Sequence, residues 1–370
     1  MNIYYRIMRD FSEHPLDTFL AYVEKNMVLD MISSAAAQNP HLQHHGQRKI
    51  EEIIAHVQHQ ISTGHPVRNP EVFLAINNLM YADTVDATQS ALANLTLHLA
   101  LRPIDDFSPG AVRYYRLMHS HGFVAAVDGG HIRPLADMAQ PGPWRSTVYF
   151  PAESLFSDIL PESLYPHVTD KVDHADIMSR IQVALRYLET YGDDIRGDFE
   201  SVIANIVILP HNSERNASFS WRLNYYGGIF IDAIGIDPYR LAESLLHEYL
   251  HQRLWQWWAY EDVPGLPAAE ASIVSPLTGR TRPARVMMQA LIIYAAALEF
   301  YEKVCRESTP PAEVWARRDH LRKGMAKLAA ELRGLTAPRT RTAALIDQCM
   351  AGLTTARPDG PARAASECTM

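Results

Sequence analysis

The sequence predicts an α+β fold that is mostly helical. Three observations carry this. Apolar residues recur at three- and four-residue spacing through most of the chain, β-branched or alternating runs are few and short, and no internal repeat marks a solenoid. With 370 residues, the chain is long enough for two or three domain-sized units, or for one large domain with an extension. Its 47% hydrophobic content is ample for a packed core and excludes global disorder.

Taken in order, helical spacing covers Asp17 to Ser33, Gln47 to Ile61 and Ala87 to Leu101, and Pro103 closes this region. From Ile104 to about His167 the chain is richer in proline and glycine, which predicts short strands and loops. A helix then runs through HADIMSRIQVALRYLETYG and ends at Gly192. SVIANIVILP reads as a β-branched strand stopped by Pro210, and SFSWRLNYYGGIFIDAIG as two short strands around Gly227–Gly228. Asp237–Pro238 supplies an N-cap and a first-turn proline for a long helix from Tyr239 to Tyr260. An apolar helix from Pro283 to Arg306 and a charged one from Ala312 to Arg333 follow. The expected organisation is a helical N-terminal region with a Pro/Gly-rich connector over residues 1–167, a second domain over 168–355, and a disordered tail over 356–370.

Charge and cysteine usage narrow the function classes. There are 34 basic against 42 acidic side chains, a net −8 without a basic block, so no nucleic-acid partner is expected. No uncharged apolar run reaches the roughly 18 residues of a membrane span, so no membrane partner is expected either. The first residues, MNIYYRIMRDFSEH, carry charges where a secretory signal needs an apolar stretch. Cys305, Cys349 and Cys368 are odd in number and far apart, so neither a disulfide framework nor a CxxC zinc site is available. A reducing cytoplasm is the expected location. GxSxG, P-loop and GxGxxG patterns are absent.

One motif carries chemistry. His247-Glu248-Tyr249-Leu250-His251 lies inside the predicted Tyr239 helix. Four residues advance a helix by about 400°, so the two imidazoles share a face one turn apart and can aim nitrogens at a single divalent ion. Glu248 lies about 100° round the helix, where its carboxylate can reach a metal-bound water. The preceding strand, GGIFIDA, is expected to be the edge strand of a zincin-like site, and Leu246, Leu250, Leu254, Trp257 and Trp258 to bury the helix.

Such a site needs a third protein ligand. QRLWQWWAYED follows His251, so the HExxHxxGxxH continuation of metzincins is absent. Gln289 and Glu299, on the Pro283 helix, are the next candidates; about 15 Å of helix separates them, so at most one serves the same metal. With Glu299 the set is two histidines and a carboxylate, which suits a gluzincin's zinc and equally the facial triad of non-haem iron.

Other residues have blander readings. His41, His44 and His45 are expected to decorate an exposed turn, and His119 and His121 to share a strand face without an acidic partner. Trp255, Trp257 and Trp258 are expected in the core rather than in a substrate groove, and His320 on a charged helix face.

From about Ala184 to Met350 the chain resembles the HExxH-motif peptide-modification family of bacterial natural-product clusters. The resemblance lies in the order and spacing of ALRYLETYGDDIR, SFSWRLNYYGGIFIDA, LAESLLHEYLHQRLW, SPLTGRTRPARVMMQALIIYAAALEFY and TAPRTRTAALIDQCM. It implies a zincin-like scaffold that uses Fe(II) and 2-oxoglutarate to hydroxylate an amino acid or peptide, free or attached to a leader peptide or carrier. Carried across, His247 and His251 would hold the iron. Arg282 first, and Arg285 second, would bind the distal carboxylate of 2-oxoglutarate, a task that suits the planar guanidinium fork. Glu248 would orient substrate or a metal ligand and would not act as a general base. Where the family has a histidine in its "HG.YAF" block, this chain has Gln289, so the third ligand is either Glu299 or a weaker amide. On the residues alone, a zinc metallopeptidase with Glu248 as general base and a non-catalytic binding module remain as alternatives.

Overall fold

A computed structural model describes residues 2–11, 16–63, 70–99, 127–128, 131–132, 139–141, 147–149, 174–192, 195–209, 218–220, 226–233, 235–260 and 271–354. The expected boundary at residue 167, the tail over 356–370, and His119 and His121 lie outside them. The described chain is mostly helical with few strands. It divides into two compact units: His14–Arg186 with Asp194–Tyr260, and Met1–Glu13 with Tyr187–Asp193 and Glu261–Met370.

The unit built around Asp194–Tyr260 opens with helices α2 (Leu16–Gln38), α3 (Pro40–His45), α4 (Gln47–Ser62), α5 (Pro70–Met80) and α6 (Val85–His98). The three helices expected in this stretch are all present. Asn39 is a fully buried hub among them. Its Oδ1 accepts from His41 N at 2.9 Å and caps α3, while its Nδ2 donates to Leu79 O at 2.6 Å and Thr88 Oγ1 at 3.2 Å. Gly46 joins α3 to α4 where a Cβ would come within 2.7 Å of a Leu42 methyl and 2.9 Å of a Leu92 methyl, so a side chain there would have to displace both.

Short strands follow, as expected for the Pro/Gly-rich stretch: β1 (Val127–Asp128), β2 (His131–Ile132), β3 (Ala139–Pro141) and β4 (Thr147–Tyr149). Helix α7 (His174–Tyr191) comes next, then α8 (Ile195–Val202), β5 (Asn205–Ile208), β6 (Ser218–Ser220) and β7 (Gly228–Ile231). The strand expected in SVIANIVILP is shorter than its β-branched run, because Ser201 and Val202 close α8. Five strands form one mixed sheet in the order β3-β4-β5-β7-β6; β4, β5 and β7 run parallel, and β3 and β6 are antiparallel to their neighbours. Every residue of β5 and β7 is buried, as in a sheet covered on both faces. The GGIFIDA strand is therefore interior. Among the described strands the edge belongs to β6, because β7 is claimed on both sides by ladders to β5 and β6.

Helix α9 (Pro238–Tyr260) packs on β6, β7 and α8. Asp237 Oδ1 caps it, accepting from Tyr239 N at 2.9 Å and Arg240 N at 3.0 Å. Leu246, Leu250 and Leu254 are fully buried and Trp257 nearly so, which is the expected apolar stripe.

In the second unit, α1 (Ile3–Phe11) and the end of α7 accompany the hairpin β8 (Ser272–Val274)–β9 (Thr281–Pro283) and helices α10 (Ala284–Glu307), α11 (Ala312–Gly334) and α12 (Arg341–Thr354). Helix α10 is the core element, against which α1, α11 and α12 pack. Its apolar window is long enough for a membrane span, but 78% of that window is buried within the fold.

Candidate functional site

The face of α9 that carries His247 and His251 is built by helical periodicity and closed by stacking. The two imidazole centroids are 4.8 Å apart at 74°, and His251 stacks on Trp255 at 5.6 Å and 21°. This ladder at i, i+4 and i+8 fixes the ring planes from below. Trp255 is half-buried beside the site, while Trp257 and Trp258 are in the core. Burial, and secondarily the neighbouring His247, hold the His251 pKa well below the usual 6.5. Its imidazole is thus neutral at pH 7, the form that coordinates metals.

Glu248 is 1% exposed, and its Oε1 lies 4.0 Å from His247 Nε2. Burial raises its pKa; His247 and the polar neighbours Ser218 and Ser220 on β6 act in the opposite direction. Three side-chain atoms here are buried without a hydrogen-bond partner: Glu248 Oε2, His251 Nδ1 and Ser220 Oγ. Such atoms are uncommon in folded proteins and concentrate where a ligand, ion or water completes the bonding. Two imidazoles one turn apart, with an unpaired nitrogen and, among the described residues, no thiolate beside them, fit a divalent ion of the Zn(II) or Fe(II) kind.

Other α9 side chains orient this face. Gln252, fully buried, accepts from Gly227 N at 3.4 Å and donates to Gly228 O at 3.2 Å, pinning β7 to the helix. On the opposite face, Tyr249 and Arg253 both hydrogen-bond to Asp198 of α8. Arg253 also donates to Ser201 Oγ and Gln256 Oε1, each at 2.8 Å. Sequence reasoning misses these residues. Their partners on β7 and α8 lie 24 to 55 positions away, and the local signs are only the i, i+4 spacing of Tyr249 and Arg253 and the i, i+3 pair Arg253–Gln256.

The remaining candidates lie in the other unit. Gln289 is buried on α10. Glu299 Oε2 accepts from Ile3 N at 2.7 Å, so its carboxylate serves the N-terminus of α1. The Tyr191 hydroxyl also faces it; burial first, and then the Glu299 charge, push that phenol well above its usual pKa. Arg282 is exposed on β9, and Arg285 is exposed in the first turn of α10. Cys305 and Cys349 are buried free thiols, raised by burial to about 11 and about 12, and so neutral. His41 is half-buried, with Nε2 3.1 Å from Asp83 O. Among the described residues, no group of three His, Cys, Asp or Glu side chains is arranged to hold a metal ion.

The sequence matches no family model and no curated protein.

Proposed function

We propose that the protein is an Fe(II)/2-oxoglutarate-dependent oxygenase that hydroxylates an unactivated C–H bond of an amino acid or peptide, on a zincin-like scaffold. The observation that carries the metal centre is the His247–His251 pair, two imidazoles packed edge to face on one helical face with a buried, unpartnered nitrogen. The choice of iron and 2-oxoglutarate rests on the resemblance of residues 184–350 to the HExxH peptide-modification family. When bound, Fe(II) with 2-oxoglutarate supplies an oxidant for C–H bonds. The chain's own residues hold and orient. His247 and His251 donate nitrogens, Trp255 fixes the His251 plane, and Glu248 directs a buried carboxyl at the same site.

For the distal carboxylate of 2-oxoglutarate the resemblance implies Arg282 first and Arg285 second, whose planar guanidinium forks suit a bidentate carboxylate. For the third metal position, Glu299 and Gln289 remain the candidates.

A zinc metallopeptidase is the second reading. It is favoured by Glu248, whose carboxyl beside His247 is placed to take a proton from water.

Anaerobic purification, addition of Fe(II) and 2-oxoglutarate with amino acid and peptide substrates, and quantitation of succinate and metal test the proposal. Succinate is expected, and His247→Ala reduces it to background. Tightly held zinc with peptide hydrolysis that Glu248→Ala abolishes would replace the proposal by the second reading. Absence of both metal and turnover would leave a binding module. Metal retention in Glu299→Ala and Gln289→Ala identifies the third ligand.

A further inference from the structure

Strand β6 places polar groups opposite apolar residues of β7. β5 and β7 are buried throughout, yet the next strand carries Ser218 and Ser220, two residues apart and therefore on one face. Helix α9 packs on β6, and both hydroxyls, with the Ser220 backbone, are the polar neighbours of the Glu248 carboxyl. Their position is set by a chain of fixed contacts. Gln252 pins Gly227 and Gly228 to α9, and the ladder then places Ser220 opposite Ile229 and Ser218 opposite Ile231. A one-residue slip would turn both serines to the other face. Despite this precision, Ser220 Oγ and Glu248 Oε2 are each buried and unpaired, as is His251 Nδ1 one helical turn on.

We propose that Ser220, with Ser218 beside it, is a positioning residue of the HExxH site: its hydroxyl steers the Glu248 carboxyl toward the histidine pair, which makes edge strand β6 part of the metal centre. This rests on reading His247 and His251 as metal ligands. The three open valences have a common explanation in one occupant. With a divalent ion held by the two histidines, the Glu248 carboxyl and the Ser220 hydroxyl would serve as outer groups that orient its ligands.

Co(II) titration of the full-length metal-free protein, followed by its visible absorption, tests the assignment. Ser220→Ala is expected to weaken Co(II) binding about tenfold and to change the absorption envelope. Its metal-free thermal midpoint should stay at the wild-type value. Ser220→Thr, which keeps the hydroxyl on a strand-compatible side chain, is expected to restore both affinity and spectrum. Wild-type binding and spectrum in Ser220→Ala, while His247→Ala loses Co(II), would overturn the role of Ser220 alone. Loss in Ser220→Thr equal to that in Ser220→Ala would also overturn it, because the hydroxyl would not be the agent. Undiminished Co(II) binding in His247→Ala would overturn the metal centre itself, and the serine assignment with it.

Discussion

Helix α9 carries two buried polar clusters on opposite faces, and they differ in one respect. The Asp198–Tyr249–Arg253 cluster is closed: the Asp198 carboxylate has donors from both partners, and the guanidinium reaches Ser201 and Gln256 as well. The His247–Glu248–His251 cluster with Ser220 is open, with three buried atoms lacking partners. A closed network fixes the helix against α8. An open one, on the same rigid rod, is a set of groups prearranged for something that binds. Satisfaction of hydrogen bonds, more than polarity or burial, separates the structural face from the candidate functional one.

The largest expected effect breaks the closed side. Asp198→Ala leaves Arg253, 1% exposed, as a buried charge without its carboxylate, and should cost about 3–5 kcal/mol in urea unfolding. A loss below about 1 kcal/mol would mean that the two faces do not differ in this way.

Next comes the acid response of the open side. His251 is neutral in the folded state because its pKa lies well below 6.5, whereas in the unfolded chain it protonates near 6.5. As pH falls below 6.5 the unfolded state binds a proton that the folded state does not. Stability therefore falls, by up to about 1.4 kcal/mol per pH unit for one such group. His56, also lowered by burial, contributes in the same direction. In metal-free His251→Gln the slope between pH 7.5 and 5 should be shallower; an unchanged slope would assign it to His56 and other groups.

The smallest effect sharpens the comparison by its sign. Glu248 has a raised pKa, so the folded state loses relative stability as pH rises above about 4.5. Glu248→Gln removes the buried charge and should stabilise the metal-free protein at pH 7 by on the order of 1 kcal/mol, with the gain disappearing near pH 4. Destabilisation at pH 7 would show that this carboxyl is already satisfied.

What the sequence reveals follows from the range of each interaction. Helix α9, its Asp237 cap, the shared face of His247 and His251 and the leucine stripe are legible because all depend on neighbours within a few turns. The edge strand is misread, since the apolar GGIFIDA run says only that a strand is buried; its two ladder partners decide that it is interior. SFS reads as a short alternating strand, and nothing local relates Ser220 to Glu248. Glu299 looks like a free carboxylate on a helix because its partner, the Ile3 amide, lies 296 positions away.

That last contact also has a consequence in time. The unit containing α10 takes its first helix from the start of the chain: Ile3 meets Glu299 across 296 positions, and Asp10 meets Gln348 across 338. At about 5–20 residues per second, a ribosome needs roughly 15–60 s to make the chain between Ile3 and Glu299. Through that interval the apolar side of α1 (Ile3, Tyr4, Ile7 and Met8) has no α10 to pack against. Helix α1 is thus secured long after it is made, because the partners of its apolar side lie hundreds of positions later in the chain.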